Sequence, residues 1–228
     1  MHALSLMHPT MYRKESVRLP TNIVKQLKEV SRLSTKNKWE YAGGVSVNFN
    51  NNEYTFGNLS RTTSKKRSTV SLDDIESVWP NTITYHTHPG VALNDSVIDD
   101  HNEIFTTLPS NADFESFILG YPEMHTNIIC DLHGYYVIDI FESFEKKNSP
   151  IPLCVSYTMG EFRKRPIINH KVFSEDNCEY FSTTIHDWRR IINFELNYHL
   201  RKKFGITIRY YGYGDIPGFV SIDRDNIG

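Results

Sequence analysis

Two histidines stand one residue apart in the sequence YHTHPG, at positions 86 and 88. The preceding run 82–85, TITY, is typical of a β-strand, and side chains at i and i+2 of a strand project from the same face. His86 and His88 can therefore bind one metal ion, which for zinc places each imidazole nitrogen at about 2.0–2.1 Å. Pro89 and Gly90 predict that the strand ends directly after the histidines, where a coordination position can stay open. Taken alone, such a pair is more often exposed at a strand end than bound to a metal.

A catalytic zinc typically has three protein ligands and one water, so the histidine pair needs a third ligand. Two Ser-x-x-Asp units follow it, Ser96 with Asp99 and Ser110 with Asp113. Each unit is also typical of a helix start, with serine as the N-cap and aspartate in the first turn. The same geometry directs the aspartate carboxylate towards whatever lies before the helix, so either aspartate is a candidate ligand.

Glu40 is the candidate general base. It stands at the predicted end of the first helix, shortly before Gly43 and Gly44, which allow the backbone to pack closely. A glutamate held beside a metal site can accept a proton from a metal-bound water and pass it to a leaving amine. An isolated glutamate at this place would be interpreted as an exposed charge at a helix end, so the hypothesis depends on the histidines and aspartates.

In this order, Glu40, HTHP at 86–89 and a downstream Ser-x-x-Asp resemble the JAMM (MPN-plus or JAB) family of zinc metalloproteases, many of which remove ubiquitin. The resemblance covers about residues 12–148, and the chain is especially similar to versions carried by large DNA viruses. It implies a cytidine-deaminase-like α/β fold, in which a mixed β-sheet is sandwiched by helices. It also implies one zinc held by two histidines and one aspartate, a glutamate base, and a serine that stabilises the oxyanion. The expected activity is hydrolysis of ubiquitin or ubiquitin-like isopeptide bonds through a metal-activated water.

The family pattern favours different aspartates by different criteria. Ser96 and Asp99 stand at the most common family spacing from His88. Ser110 and Asp113 follow a proline in LPSNAD and open a predicted helix that leads promptly into the next strand, as the family pattern requires. Virus-type relatives also carry a longer loop at this place. We therefore predict His86, His88 and Asp113 as metal ligands and Glu40 and Ser110 as catalytic residues, and keep Ser96 and Asp99 as the alternative.

The elements that must position these side chains are visible as hydrophobic periodicity and turn residues. Apolar residues recur at helical spacing from Ile23 to Val30, which predicts an amphipathic first helix. Apolar runs bounded by asparagine or glycine predict two hairpins, and a long apolar stripe ended by Gly205 predicts a late helix. Further predicted strands are 17–19, 45–49, 53–59, 127–130, 135–141 and 206–211, and further predicted helices are 71–79, 113–119 and 181–200.

The polar sequence EKKNSP at 145–150 predicts a division of the chain into two parts. We expect a JAMM/MPN-plus catalytic domain over 12–148. We expect a C-terminal extension over 149–228, made of a long helix and a strand and packed on the catalytic domain. The family resemblance does not reach this extension, so it predicts no role for it.

Charge and composition exclude several classes of protein. The 228 residues include 25 Lys and Arg and 27 Asp and Glu, a net charge of −2, and the basic residues are spread along the chain. This distribution argues against nucleic acid as a partner. The sequence has neither a charged leader with an apolar core nor an apolar run of membrane length, so we expect a soluble intracellular protein in the cytoplasm or nucleus, without a membrane partner.

Cysteine chemistry and other zinc chemistries fit the sequence poorly. Cys130, Cys154 and Cys178 are far apart and form no C-x-x-C pair, which argues against a disulfide framework and a thiolate metal site. Zinc deaminases share the implied fold, but their H-x-E and P-C-x-x-C motifs are absent. The alternative to an enzyme is a non-catalytic MPN-type scaffold or protein-interaction module. Proteins of that kind usually lack the metal ligands, whereas this sequence retains every required residue type, which favours an enzyme.

Overall fold

Strands and helices alternate along the chain in a computed structural model that describes residues 14–48, 51, 53–57, 60–61, 83–91, 103–121, 124–140, 151–164, 169–173 and 178–223. In chain order the elements are β1 (Lys14–Arg18), α1 (Thr21–Asn37), β2 (Tyr41–Asn48), β3 (Glu53–Phe56), β4 (Ser60–Arg61), β5 (Ile83–Thr87), β6 (Glu103–Thr106), α2 (Asn111–Gly120), β7 (Thr126–Cys130), β8 (Gly134–Ile140), α3 (Ile151–Arg163), β9 (Asn169–Phe173), β10 (Cys178–Thr184), α4 (Ile185–Arg190), a π-helical segment (Ile191–Leu196), α5 (Asn197–Phe204), β11 (Ile206–Gly212) and β12 (Phe219–Asp223). α4, the π-helical segment and α5 follow one another without a break and are called the C-terminal helix below.

A mixed β-sheet forms the centre of the described structure. Its strand order is β11-β8-β7-β5-β2-β3, and the short β4 also pairs with β2. β5 and β7 run parallel, whereas the other neighbouring pairs are antiparallel. Helices pack on both faces of this sheet. The predicted α/β class, a mixed sheet flanked by helices, is therefore confirmed.

Alternation of side chains along the strands divides the hydrophobic core into two parts, one on each face of the sheet. Tyr85 of β5 and Tyr135 of β8 pack on the face covered by α1, together with Ile23. Tyr136, the next residue of β8, packs on the opposite face with α2, α3 and the C-terminal helix. Because successive strand residues face opposite sides, His86 faces the side that carries α2.

The first helix forms as predicted, with its apolar stripe from Ile23 to Val30 buried. It ends because Lys38 adopts a left-handed backbone conformation, with φ of 57°, and donates its N–H to the carbonyl oxygen of Ser34. Glu40 therefore lies beyond the helix, directly before β2, and not at the helix end as predicted from the sequence.

The predicted hairpins are confirmed as β2–β3 and β7–β8, and the predicted last helix ends at Gly205 with φ of 65°. The start of this helix differs from the prediction. Phe181 lies in β10, and the helix begins at Ile185, because the Thr184 side chain accepts a hydrogen bond from the N–H of Asp187 at 3.1 Å and caps it. Strand β6 is missing from the predicted elements, and the predicted helix 71–79 lies outside the described residues.

The C-terminal part of the chain contributes strands to all the described sheets. β11 is the edge strand of the central sheet beside β8, β12 pairs with β1, and β10 pairs with β6. The predicted seam at 145–150 lies outside the described residues, so the division into two domains stays a prediction. Among the described helices, none has the length and apolar character needed to cross a membrane.

Candidate metal centre

Three predicted ligands converge at one point beside the end of β5. The Nε2 atom of His86 lies 3.1 Å from Oδ1 of Asp113, and the Nε2 atom of His88 lies 3.4 Å from Oδ2 of the same carboxyl group. The candidate ligand atoms of these three residues all lie within 4.8 Å of one another. Among the described residues, this is the one group of three or more His, Cys, Asp or Glu side chains that are close enough to share a metal ion. Two imidazole nitrogens and a carboxylate oxygen at this separation are compatible with a shared metal ion.

Strand β5 directs both histidines to the same side. Its last residue, Thr87, points to the other side, is fully buried, and accepts a hydrogen bond from the N–H of Tyr41 at 2.9 Å. His88 follows the strand and still donates its N–H to the carbonyl oxygen of Cys130 in β7 at 2.8 Å, so the backbone stays extended there. Gly90 then packs so closely that an added Cβ would lie 2.9 Å from the Cβ of Leu132. The chain therefore leaves the sheet directly after the histidines, as predicted.

Helix α2 supplies the third candidate ligand, Asp113, from its first turn. Ser110 is the N-cap: its hydroxyl accepts a hydrogen bond from the N–H of Asp113 at 3.2 Å, and its own N–H donates to Oδ2 of Asp113 at 2.5 Å. This capping box holds the carboxyl group at the start of the helix, where Oδ1 faces His86. One aspartate thus serves as cap and candidate ligand together. The alternative pair, Ser96 and Asp99, lies outside the described residues.

The candidate base Glu40 is almost fully buried, with 9% of its surface exposed. It comes two residues before Ala42, which pairs with His86 across the β2–β5 ladder, so it approaches the same end of the sheet. Burial alone would lower the pKa of His88, but the hydrogen bond to Asp113 and the negative charges of Asp113, Glu40 and Asp131 raise that pKa to about 9. Glu40 is therefore close enough to act electrostatically on a ligand without being one of the three converging groups.

The electrostatics of the site favour a positive charge at its centre. Burial disfavours the charged form of Asp113, yet the charges and hydrogen bonds of both histidines hold its pKa well below the usual range. The Nε2 atom of His86 is buried and forms no hydrogen bond of acceptable geometry, although it lies beside the carboxyl group. A cation bound between these three side chains would satisfy this nitrogen, so the donor set and its burial fit a metal ion.

A buried aspartate behind the site is absent from the residues predicted from the sequence. Asp131 follows β7 and is 3% exposed. Its carboxyl group accepts hydrogen bonds from the Thr106 hydroxyl at 2.6 Å, the N–H groups of His133 and Gly134 at 2.8 and 2.7 Å, and the Tyr210 hydroxyl at 3.1 Å. The sequence DLHG signals the turn, because aspartate commonly accepts from the backbone two residues further on. Nothing in the sequence signals the two distant hydroxyl groups.

We expect Asp131→Ala to lower the free energy of unfolding by about 3–5 kcal/mol, because several buried donors lose their acceptor together. Urea denaturation of the purified variant measures this loss. Glu29→Ala is the control: its side chain is 68% exposed and pairs with Arg32 on the helix surface, so its removal should change stability by less than about 0.5 kcal/mol. Equal midpoints for the two variants would contradict the buried network.

Comparison of the chain with known protein families, with curated proteins and with solved structures found no match in any of the three. The structure brings together His86, His88 and Asp113, with Ser110 at the adjoining helix cap and Glu40 nearby.

Proposed function

We propose that this protein is a zinc-dependent isopeptidase of the JAMM type, which hydrolyses the bond between ubiquitin, or a ubiquitin-like protein, and a lysine amino group. The proposal includes a cytidine-deaminase-like JAMM/MPN fold and a site of action inside the cell, in the cytoplasm or nucleus. The observation that carries it is the convergence of the side chains of His86, His88 and Asp113 within 4.8 Å, in a chain whose sequence order of Glu, HxHP and SxxD resembles that family.

His86, His88 and Asp113 would hold the metal through two imidazole nitrogens and one carboxylate oxygen. Zinc accepts this donor set and typically keeps a water in its fourth position. When bound there, zinc acidifies that water and polarises a carbonyl group. Two histidines and a carboxylate also bind ferrous iron in some oxygenases, so metal analysis of protein purified without added metal is the direct check on zinc.

Glu40 and Ser110 supply the remaining chemistry. Glu40 accepts a proton from the attacking water on a carboxylate oxygen and transfers it to the lysine amine as the isopeptide bond breaks. The Ser110 hydroxyl accepts the N–H of Asp113, which leaves its own hydrogen to donate to the developing oxyanion. Both groups therefore act on protons and charge that change during the reaction, and neither has to bind the metal.

We expect the purified, zinc-loaded protein to cleave at least one member of a panel of ubiquitin dimers of different linkage, and to lose this activity in a zinc chelator. Gel analysis of the released monomer measures cleavage, and adding zinc back to the chelated sample should restore it. A papain-like cysteine deubiquitinase serves as the control that must keep cleaving in the chelator. Failure of the zinc-loaded protein to cleave any dimer, or any conjugate of a ubiquitin-like protein, would favour the non-catalytic scaffold.

A further inference from the structure

His88, one of the candidate ligands, contacts Thr107, a residue that lies outside every sequence motif. The Nδ1 atom of His88 lies 3.1 Å from the hydroxyl oxygen of Thr107. The Nε2 atom of the same ring faces Asp113, at 3.4 Å from Oδ2. For a neutral histidine to offer Nε2 to a metal, its proton must sit on Nδ1 and donate to an acceptor. The Thr107 hydroxyl is such an acceptor, and it also fixes the rotation of the ring.

The backbone of Thr107 is held by a chain of two buried hydrogen bonds. The Tyr136 hydroxyl donates to the carbonyl oxygen of Thr107 at 2.7 Å, and it accepts from Nε1 of Trp188 at 2.7 Å. Both aromatic side chains are fully buried. Strand β6 and its pairing with β10 both end at Thr106. At Thr107, the backbone is therefore held by the hydrogen bonds of Tyr136 and Trp188 and not by strand pairing. Buried hydrogen bonds of this kind are rigid, because breaking one leaves a polar group without water.

Trp188 belongs to the C-terminal helix, and two more bonds from the C-terminal part reach the loops that carry the ligands. The Tyr180 hydroxyl of β10 donates to the carbonyl oxygen of Pro89, directly after His88, at 3.1 Å. The guanidinium of Arg163 in α3 donates to the carbonyl oxygen of Pro109, directly before the Ser110 cap, at 3.0 Å. Arg163 and Tyr180 therefore contact the backbone on both sides of the site.

We infer that Thr107 is the positioning residue that presents Nε2 of His88 to the metal, and that the C-terminal part of the chain sets Thr107 through Trp188 and Tyr136. This inference rests on the metal centre of the proposed function. It gives the C-terminal part of the chain a role that the sequence leaves open: Trp188 supports the site through Tyr136, and among the described residues the three converging candidate ligands all come from outside this part. Metal affinity then depends on side chains that never touch the metal.

The zinc dissociation constant, measured by competition with a coloured chelator, tests the role of Thr107. Thr107→Val keeps the shape of the side chain and removes the acceptor, so zinc binding should weaken about 10- to 100-fold. Thr107→Ser keeps the hydroxyl and should bind zinc within about threefold of the unaltered protein. Equal affinity of the valine and serine variants would overturn the positioning role while leaving the metal centre intact. Failure of the unaltered protein to bind any metal would overturn the inference and the proposed function together.

The link to the C-terminal part is tested by two tyrosines that are neighbours in β8. Tyr136→Phe removes the hydroxyl that holds Thr107 and should weaken zinc binding roughly fivefold. Tyr135→Phe is the matched control, since this residue is equally buried on the other face and its hydroxyl accepts the N–H of Gly218 at 2.9 Å. Tyr136→Phe loses two buried hydrogen bonds and Tyr135→Phe loses one, so thermal melting should register a loss of stability in both variants. Equal zinc affinities in the two variants would show that Tyr136 acts only on stability and would overturn this link.

Discussion

Asp113→Ala is expected to yield a folded protein without stoichiometric zinc and without measurable isopeptide hydrolysis. The substitution removes one of the three candidate ligands, and the two imidazoles of His86 and His88 are too few to hold a catalytic zinc, which typically has three protein ligands. The substitution also removes a negative charge, because the neighbouring histidines hold the pKa of the Asp113 carboxyl group well below its usual range. Without this charge, the site loses its preference for a cation. Metal content per chain after dialysis and the rate of ubiquitin dimer cleavage are the two measurements.

Three control variants separate ligand loss from cap loss and test the alternative aspartate. Ser110→Ala breaks the hydrogen bond between the Ser110 hydroxyl and the N–H of Asp113 but keeps the carboxylate, so it should retain zinc. Asp113→Asn keeps an oxygen of similar shape without the charge and should bind zinc much more weakly. Asp99→Ala should keep both its metal and most of its rate. Zinc retained by Asp113→Ala and lost by Asp99→Ala would reverse the ligand assignment.

Glu40→Gln is expected to abolish turnover while leaving zinc bound. The amide has nearly the same shape as the carboxyl group but cannot accept the proton of the attacking water, which removes general base catalysis worth about 100- to 10,000-fold. Because Glu40 is outside the group formed by His86, His88 and Asp113, these three candidate metal ligands are unchanged. The kcat for dimer cleavage should therefore fall, whereas the zinc content per chain should stay the same.

Glu29→Gln is the control for this second prediction, because Glu29 is an exposed residue of α1 that pairs with Arg32 at the surface. Its kcat should stay within about twofold of the unaltered protein. A Glu40→Gln variant that keeps near-normal turnover would end the role of Glu40 as the base. Loss of zinc from the same variant would instead make Glu40 a support of the metal site.

Several parts of the fold and site are predictable because their signals are local. The period of the apolar residues between Ile23 and Val30 predicts α1, and the two-residue period of a strand places His86 and His88 on one side. Ser-x-x-Asp predicts a capped helix start, which Ser110 and Asp113 form as a capping box. In each case, the residues that interact are two to four positions apart, so the sequence displays them together.

Other parts depend on contacts between residues far apart in the chain. The apolar stripe continues back to Phe181, but that residue pairs with Thr106 of β6 as part of β10, so tertiary pairing overrides the helical period. The Thr107 hydroxyl lies 3.1 Å from Nδ1 of His88, and the Thr107 carbonyl oxygen accepts a hydrogen bond from Tyr136, which in turn accepts one from Trp188. A hydrophobic pattern states which residues are buried, but the partner of each is selected by the packing of many side chains at once.

The sequence by itself therefore identifies the candidate ligands, whereas the tertiary structure determines whether they meet. Residue types and short spacings identify two imidazoles on one strand face and a carboxylate at a helix start. The meeting of Asp113 with His86 requires α2 to begin beside the end of β5, and this depends on the separate cores that cover the two faces of the sheet. Short-range geometry follows from the backbone of each element, whereas the position of one element against another follows from the summed burial of side chains contributed by the whole chain.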